Sequence, residues 1–279
     1  MGVRNVKLTI AYDGTEYHGW QIQPGFGTIQ GVLTEALKGL LGRKVRICGA
    51  SRTDAGVSAL GQVGLIQIDS PIPTENLAKA ITDRLPPDMA IVKAEEVPMG
   101  FDVIGAVKSK WYRYTIYNGP VRPVLHIRRC WHISAKLDIA AMDSAAKFLV
   151  GTKDFKSFAA GDEKREDTVR TIFRCEAYLS CGVSRASCEK KEMGSCLRRN
   201  DDTQYAQRNT QNKDDWVYVD VEGDSFLYNM VRNIVGTLVE VGVSRWKPEK
   251  INEILEAKDR TAAGPMAPAA GLCLMRIEY

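Results

Sequence analysis

The chain reads as an α+β protein of two related halves, each a mainly antiparallel sheet backed by helices, and three observations predict it. Strand-period and helix-period apolar runs alternate, the order of elements in the first half returns in the second, and 44% hydrophobic content in 279 residues supplies a real core. Val6 to Ala11 reads as a strand, Ile29 to Leu41 as an amphipathic helix, and Val45 to Ala50 and Val63 to Ile68 as further strands. Leu77 to Leu85 is a second helix, which Pro86-Pro87-Asp88 ends because proline cannot continue it. In the second half Trp111 to Tyr117 alternates as a strand and Asp138 to Val150 is helical; Thr171 to Leu179 and Val217 to Val221 are strands, and Phe226 to Val241 is a long helix. The boundary falls near Gly100 to Gly105, dividing the chain into 1–104 and 105–279, with the working surface expected in the cleft between the sheets.

The N-terminus carries no apolar signal core, and Val6 stands where a myristoylation signal requires Ser or Thr. No segment approaches the roughly 20 apolar residues of a spanning helix, so a cytoplasmic location is expected. Seven cysteines without a secretory signal point to reduced thiols rather than a disulfide framework. The net charge of +4 says little, but its distribution says more. From Val103 to Leu137 there is no Asp or Glu, while Lys108, Lys110, Arg113, Arg122, Arg128, Arg129 and Lys136 all fall there. Trp111, Tyr112, Tyr114, Tyr117 and Trp131 are interleaved with them. Cations for phosphates beside rings for unstacked bases suit a single-stranded or looped RNA, and a solvated cationic strand pair fits equally well.

Ala50-Ser51-Arg52-Thr53-Asp54-Ala55-Gly56-Val57 places a lone carboxylate between an arginine and a glycine. Arg52 is expected to favour the ionised form of Asp54, and Gly56 allows a sharp turn. The competing account is an ordinary turn in which Asp54 caps a helix or bonds its own backbone. On the long helix, Leu227, Met230, Ile234, Leu238 and Val241 gather on one side, with Tyr228, Asn229, Arg232 and Gly236 on the other. A helix normally avoids glycine, so Gly236 marks close approach of another backbone or of a ligand.

A polar insert, Ser180 to Asp215, carries Cys181, Cys188 and Cys196 without an apolar period, and a mobile loop is expected. Those spacings and the absence of His within it argue against zinc. Gly25-Phe26-Gly27 followed by Gly31 has the wrong spacing for a dinucleotide fingerprint.

Several segments in register closely resemble the TruA-type tRNA pseudouridine synthases. They are Tyr12-Asp13-Gly14 with Tyr17 and Gly19-Trp20-Gln21, Arg52 to Val57, Lys110-Trp111-Tyr112-Arg113-Tyr114, Met230 to Gly236, Ala257-Lys258-Asp259-Arg260, and Ala270-Gly271-Leu272. The resemblance covers nearly the whole chain apart from the insert. It implies isomerisation of uridine to pseudouridine at positions 38, 39 and 40 of the tRNA anticodon arm, by a homodimer, with no cofactor or metal. By that resemblance Asp54 is the nucleophile, Tyr112 stacks on the target base, Arg52 helps hold the flipped nucleotide, and Arg232 pairs with Asp54. Lys108, Lys110 and Arg113 of the basic window and Leu272 of the last motif complete the expected substrate contacts. The chain departs from the family at Phe101-Asp102-Val103-Ile104, where Phe-His-Ala-Arg is frequent, and at Ser58, where many members carry His. A non-catalytic RNA-binding protein that keeps the fold remains the alternative.

Overall fold

A computed structural model describes residues 2–161, 165–180 and 215–279. The insert's cysteines and its expected mobility lie outside the described residues. In chain order the main elements are β1 (Arg4–Tyr12), α1 (Ile29–Leu41), β2 (Ile47–Gly49), β3 (Ser58–Ile68), α2 (Thr74–Thr82) and β4 (Met89–Val97). There follow β5 (Ser109–Tyr117), β6 (Trp131–His132), α3 (Ile139–Lys147), β7 (Gly151–Asp154), β8 (Val169–Leu179), β9 (Trp216–Gly223), α4 (Met230–Gly242), α5 (Lys250–Ala257) and β10 (Leu272–Glu278).

The α+β class with a mainly antiparallel sheet is what the sequence predicts, but the strands of the two halves join in one ten-stranded sheet, ordered β4-β1-β3-β10-β5-β9-β8-β7 with β2 on β3 and β6 on β5. The join is β10, which runs parallel to β3 through Cys273 and Leu274 and antiparallel to β5 from Leu272 to Glu278. Burial of Val6, Leu8, Ile10 and Tyr12 on β1 and of Tyr112, Tyr114 and Ile116 on β5 follows the period-two alternation. On β5 the other face carries Trp111, Arg113 and Thr115, which are only half-buried.

Three helices differ in their bounds from the sequence reading, the one read over Asp138 to Val150 being Ile139–Lys147, with Asp138 as its N-cap and Phe148 closing its end. The second helix runs Thr74–Thr82 rather than Leu77 to Leu85, because Pro73 can precede a first helical turn and Asp83 closes the end. The long helix begins at Met230 rather than Phe226, because Asn229 takes a left-handed conformation (φ 59°) that an α-helix cannot contain. Nor is α4 two-faced: every residue of Met230–Gly242 except Arg232 is buried. A β-carbon on Gly236 would collide with the Pro265 carbonyl oxygen, so backbone packing accounts for that glycine.

Candidate active site

The loop between β2 and β3 carries Asp54, and the β1–α1 loop clamps it. Trp20 N donates to Thr53 O at 3.0 Å and Gly56 N to Tyr17 O at 3.1 Å. Val57 N donates to Asp54 O at 3.1 Å, closing the turn that Gly56 makes possible at φ 78°. The expected turn therefore exists, but the backbone makes it and the carboxylate is left over.

A polar layer supports the loop from below. Gln62, wholly buried, donates from Nε2 to Ser51 O at 2.9 Å and to the Tyr12 hydroxyl at 3.3 Å. Tyr12 shares a 2.8 Å hydrogen bond with Thr53 Oγ1, and Lys110 Nζ donates to Ala50 O and Ser51 Oγ, each at 3.3 Å. Ser51 Oγ in turn meets the Tyr112 hydroxyl at 3.2 Å. Strand β5 thus grips the loop with Lys110 and Tyr112, two residues apart and on one face.

Arg232 on α4 brings its Nη1 to 3.8 Å from Asp54 Oδ2, the two side chains being 13% and 23% exposed. Burial raises the Asp54 pKa above its usual value, and the Arg232 charge only partly offsets it. This corrects the expectation for Arg52, which is exposed while Arg232 is the cation acting on Asp54. The Arg232 guanidinium has two further acceptors, Ala267 O at 2.8 Å from Nε and Asn229 Oδ1 at 3.1 Å from Nη1. Tyr112 packs edge-on to Phe226 with centroids 5.3 Å apart, and burial raises its hydroxyl to about 12.

The remaining expected contacts are dispersed. Lys108 is exposed just before β5, and Lys110 holds the Asp54 loop as described. Arg113 points to the opposite face, where Nε and Nη2 donate to Asp220 at 2.8 and 2.9 Å. Leu272 is buried beside Tyr114 and, with Arg113 and Tyr218, lines a cavity of about 500 Å³ that none of Asp54, Tyr112 and Arg232 borders. The basic window is therefore split between two faces, and its arginines are largely paired: Arg128 with Glu16 at 2.6 Å and Arg129 with Asp13 at 2.8 Å. Asp102 has a local role, accepting from Ile104 N at 2.9 Å, and Ser58 Oγ accepts from Gly14 N at 3.0 Å. Gln62, Ser51 and Asn229 are site residues to which sequence reasoning gave no role; a Gln inside the apolar run of β3 was the available signal for the first.

A half-buried carboxylate facing one arginine beside a tyrosine, on a loop fixed at both ends, is an arrangement that can supply a carboxylate nucleophile. The chain matches the tRNA pseudouridine synthase family over residues 8–104 and 145–279, and it belongs to that family. Among its relatives, the tRNA pseudouridine synthase A of Acetivibrio thermocellus is 40% identical over 277 residues, covering 99% of this chain and 100% of the relative. That of Moorella thermoacetica is 42% identical over 276 residues, covering 98% and 99%. Residues 105–144, which include Tyr112, fall outside the family match but within a 277-residue span aligned with the first relative.

Proposed function

We propose that this protein isomerises uridine to pseudouridine in tRNA at positions 38, 39 and 40 of the anticodon arm, with Asp54 as nucleophile. The observation that carries this is the Asp54–Arg232 pair at 3.8 Å, close enough for electrostatic contact and too long for a closed hydrogen bond. The carboxylate attacks either C1′ of the ribose or C6 of the uracil. The N1–C1′ bond breaks, the base turns, and a C5–C1′ bond forms; the proton on C5 leaves and N1 takes one up. Atoms balance, with no net oxidation. Arg232 keeps the carboxylate ionised and oriented. Tyr112, protonated at neutral pH, offers its ring to the base and a neutral hydroxyl, and exposed Arg52 on the same loop is placed to meet a phosphate. The target nucleotide must leave its stack, a cost of a few kcal/mol that contacts to the RNA offset.

The division at 104/105 follows from the same reading, since 1–104 supplies Asp54 and 105–279 supplies Tyr112 and Arg232. A homodimer is supported by the outer sheet face, where Leu60 is 57% exposed beside the cavity of about 500 Å³. Nearby, the loop that ends at cavity-lining Arg129 exposes Val121, Val124 and Leu125, the last by 90%. Apolar groups so exposed favour coverage by a second copy. No helix among the described residues is long and apolar enough to cross a membrane, and a tRNA substrate fits a cytoplasmic location.

Tritium release from [5-³H]uridine-labelled unmodified tRNA tests the reaction. Wild type releases tritium with EDTA present and Asp54→Ala does not; tRNA binding without release by wild type would make the protein a non-catalytic RNA binder.

A further inference from the structure

We propose that Asn229 is a positioning residue for catalysis, holding the Arg232 guanidinium toward Asp54 at the expense of its own helix cap. The inference rests on the assignment of Asp54 and Arg232 made above.

Asn229 occupies the N-cap position of α4, where asparagine normally adopts an extended conformation and accepts a backbone N–H of the first turn. Here it does neither. Its φ is 59°, in the left-handed region that Asn tolerates better than most non-glycine residues, and its side chain makes no cap hydrogen bond. The amide oxygen instead accepts from Arg232 Nη1 at 3.1 Å, and that same Nη1 lies 3.8 Å from Asp54 Oδ2.

The need for an external anchor follows from where Arg232 stands. A cation in the first turn of a helix opposes the positive end of the macrodipole and is pushed outward, toward solvent. Two acceptors oppose that: Ala267 O fixes Nε at 2.8 Å, and Asn229 Oδ1 fixes the Nη1 end. With Nε alone anchored, the guanidinium can still pivot. The second bond sets the plane, and the plane decides whether Nη1 reaches the carboxylate.

Backbone preference and function then pull in opposite directions at this position. Asn229→Gly adopts the left-handed conformation freely but removes the acceptor. Its thermal midpoint is expected to be unchanged or raised, while kcat for tRNA falls roughly ten- to a hundredfold with KM retained, a loss typical of misplaced catalytic groups. Asn229→Asp keeps an acceptor but adds a negative charge beside Arg232, so the acid limb of its pH–rate profile is expected to move to higher pH, a shift that a merely structural residue would not cause. A wild-type kcat in Asn229→Gly, or a fall in kcat matched by a fall in thermal midpoint, would overturn the proposal. Arg232→Ala separates the two levels. If it turns over normally, the assignment of Arg232 fails; if it is impaired while Asn229→Gly is not, only the role of Asn229 fails.

Discussion

Two aspartate–arginine pairs lie on opposite faces of one sheet, and they are built differently. Asp220 and Arg113 sit directly opposite each other on β9 and β5. Their contact is bidentate at 2.8 and 2.9 Å, the Tyr178 hydroxyl donates to Asp220 Oδ2 at 2.8 Å, and the Asp220 side chain is 1% exposed. Asp54 and Arg232 come from a loop and a helix, stand 3.8 Å apart, and leave the carboxylate 23% exposed. The closed pair raises Arg113 above its usual pKa, whereas at the open pair burial dominates and the Asp54 pKa rises. Three donors and near-complete burial leave the Asp220 carboxylate closed to a ligand, whereas the Asp54 carboxylate, held among the described residues only by the 3.8 Å ion pair, is open to one. The difference separates a structural ion pair from the proposed nucleophile better than residue type can.

Removing one carboxylate at a time gives the sharpest break in that comparison. Asp54→Asn is expected to lower turnover by a factor on the order of 10⁴ or more. Because its folded pKa is raised, ionised Asp54 subtracts from stability once pH rises above the ordinary carboxylate range. Urea denaturation at neutral pH should therefore find Asp54→Asn as stable as wild type or more so. Asp220→Asn should do the reverse. It leaves the Arg113 guanidinium without its counter-charge, costing about 3 kcal/mol in the same titration, with turnover near wild type where the variant remains folded.

Arg232→Ala tests the open pair from the other side. Its expected cost in kcat is roughly a hundredfold. The groups facing Asp54 are Arg232 on α4 and Tyr112 on β5, and only Arg232 lowers the Asp54 pKa. Without it that pKa rises further, so the acid limb of the pH–rate profile should move to higher pH; an unmoved limb would show that another group titrates there. The smallest effect is expected for Tyr112→Phe, which loses the 3.2 Å contact with Ser51 Oγ and keeps the ring. A fall of only a few-fold in kcat, against a far larger one for Tyr112→Ala, would assign the work to the ring, since a neutral hydrogen bond contributes about 1 kcal/mol.

Much of the fold was legible because burial imposes its period on the chain. The strand at Val6 to Ala11 and the helix at Ile29 to Leu41 were read nearly to the residue, since each has one buried face. Strand β4 was missed because Lys93, Glu95 and Glu96 break its alternation; β10 was missed although it is the strand that joins the two halves. Helix α5 is only eight residues long, with Ile251 and Ile254 as its buried positions, too short for a clear period. On α4 the periodicity misled, because a helix buried on nearly all sides has no polar face to find.

By itself the sequence determined the α+β class, the strand alternation that sends Tyr112 and Arg113 to opposite faces, and the motifs by which Asp54, Tyr112 and Arg232 resemble a known set. Those are local or recurrent properties, written in spacing. The resemblance named Arg232 as the partner of Asp54; only the tertiary structure decided that nearness in sequence does not make Arg52 a second partner and that Arg113 is taken by Asp220. Arg52, two residues from Asp54, is exposed, while Arg232, from a distant helix, faces it; Arg113 in the basic window is bound by Asp220. Charge pairing depends on distance through space and on burial, and a chain that folds a loop, a strand and a helix onto one point sets both without regard to separation along the sequence.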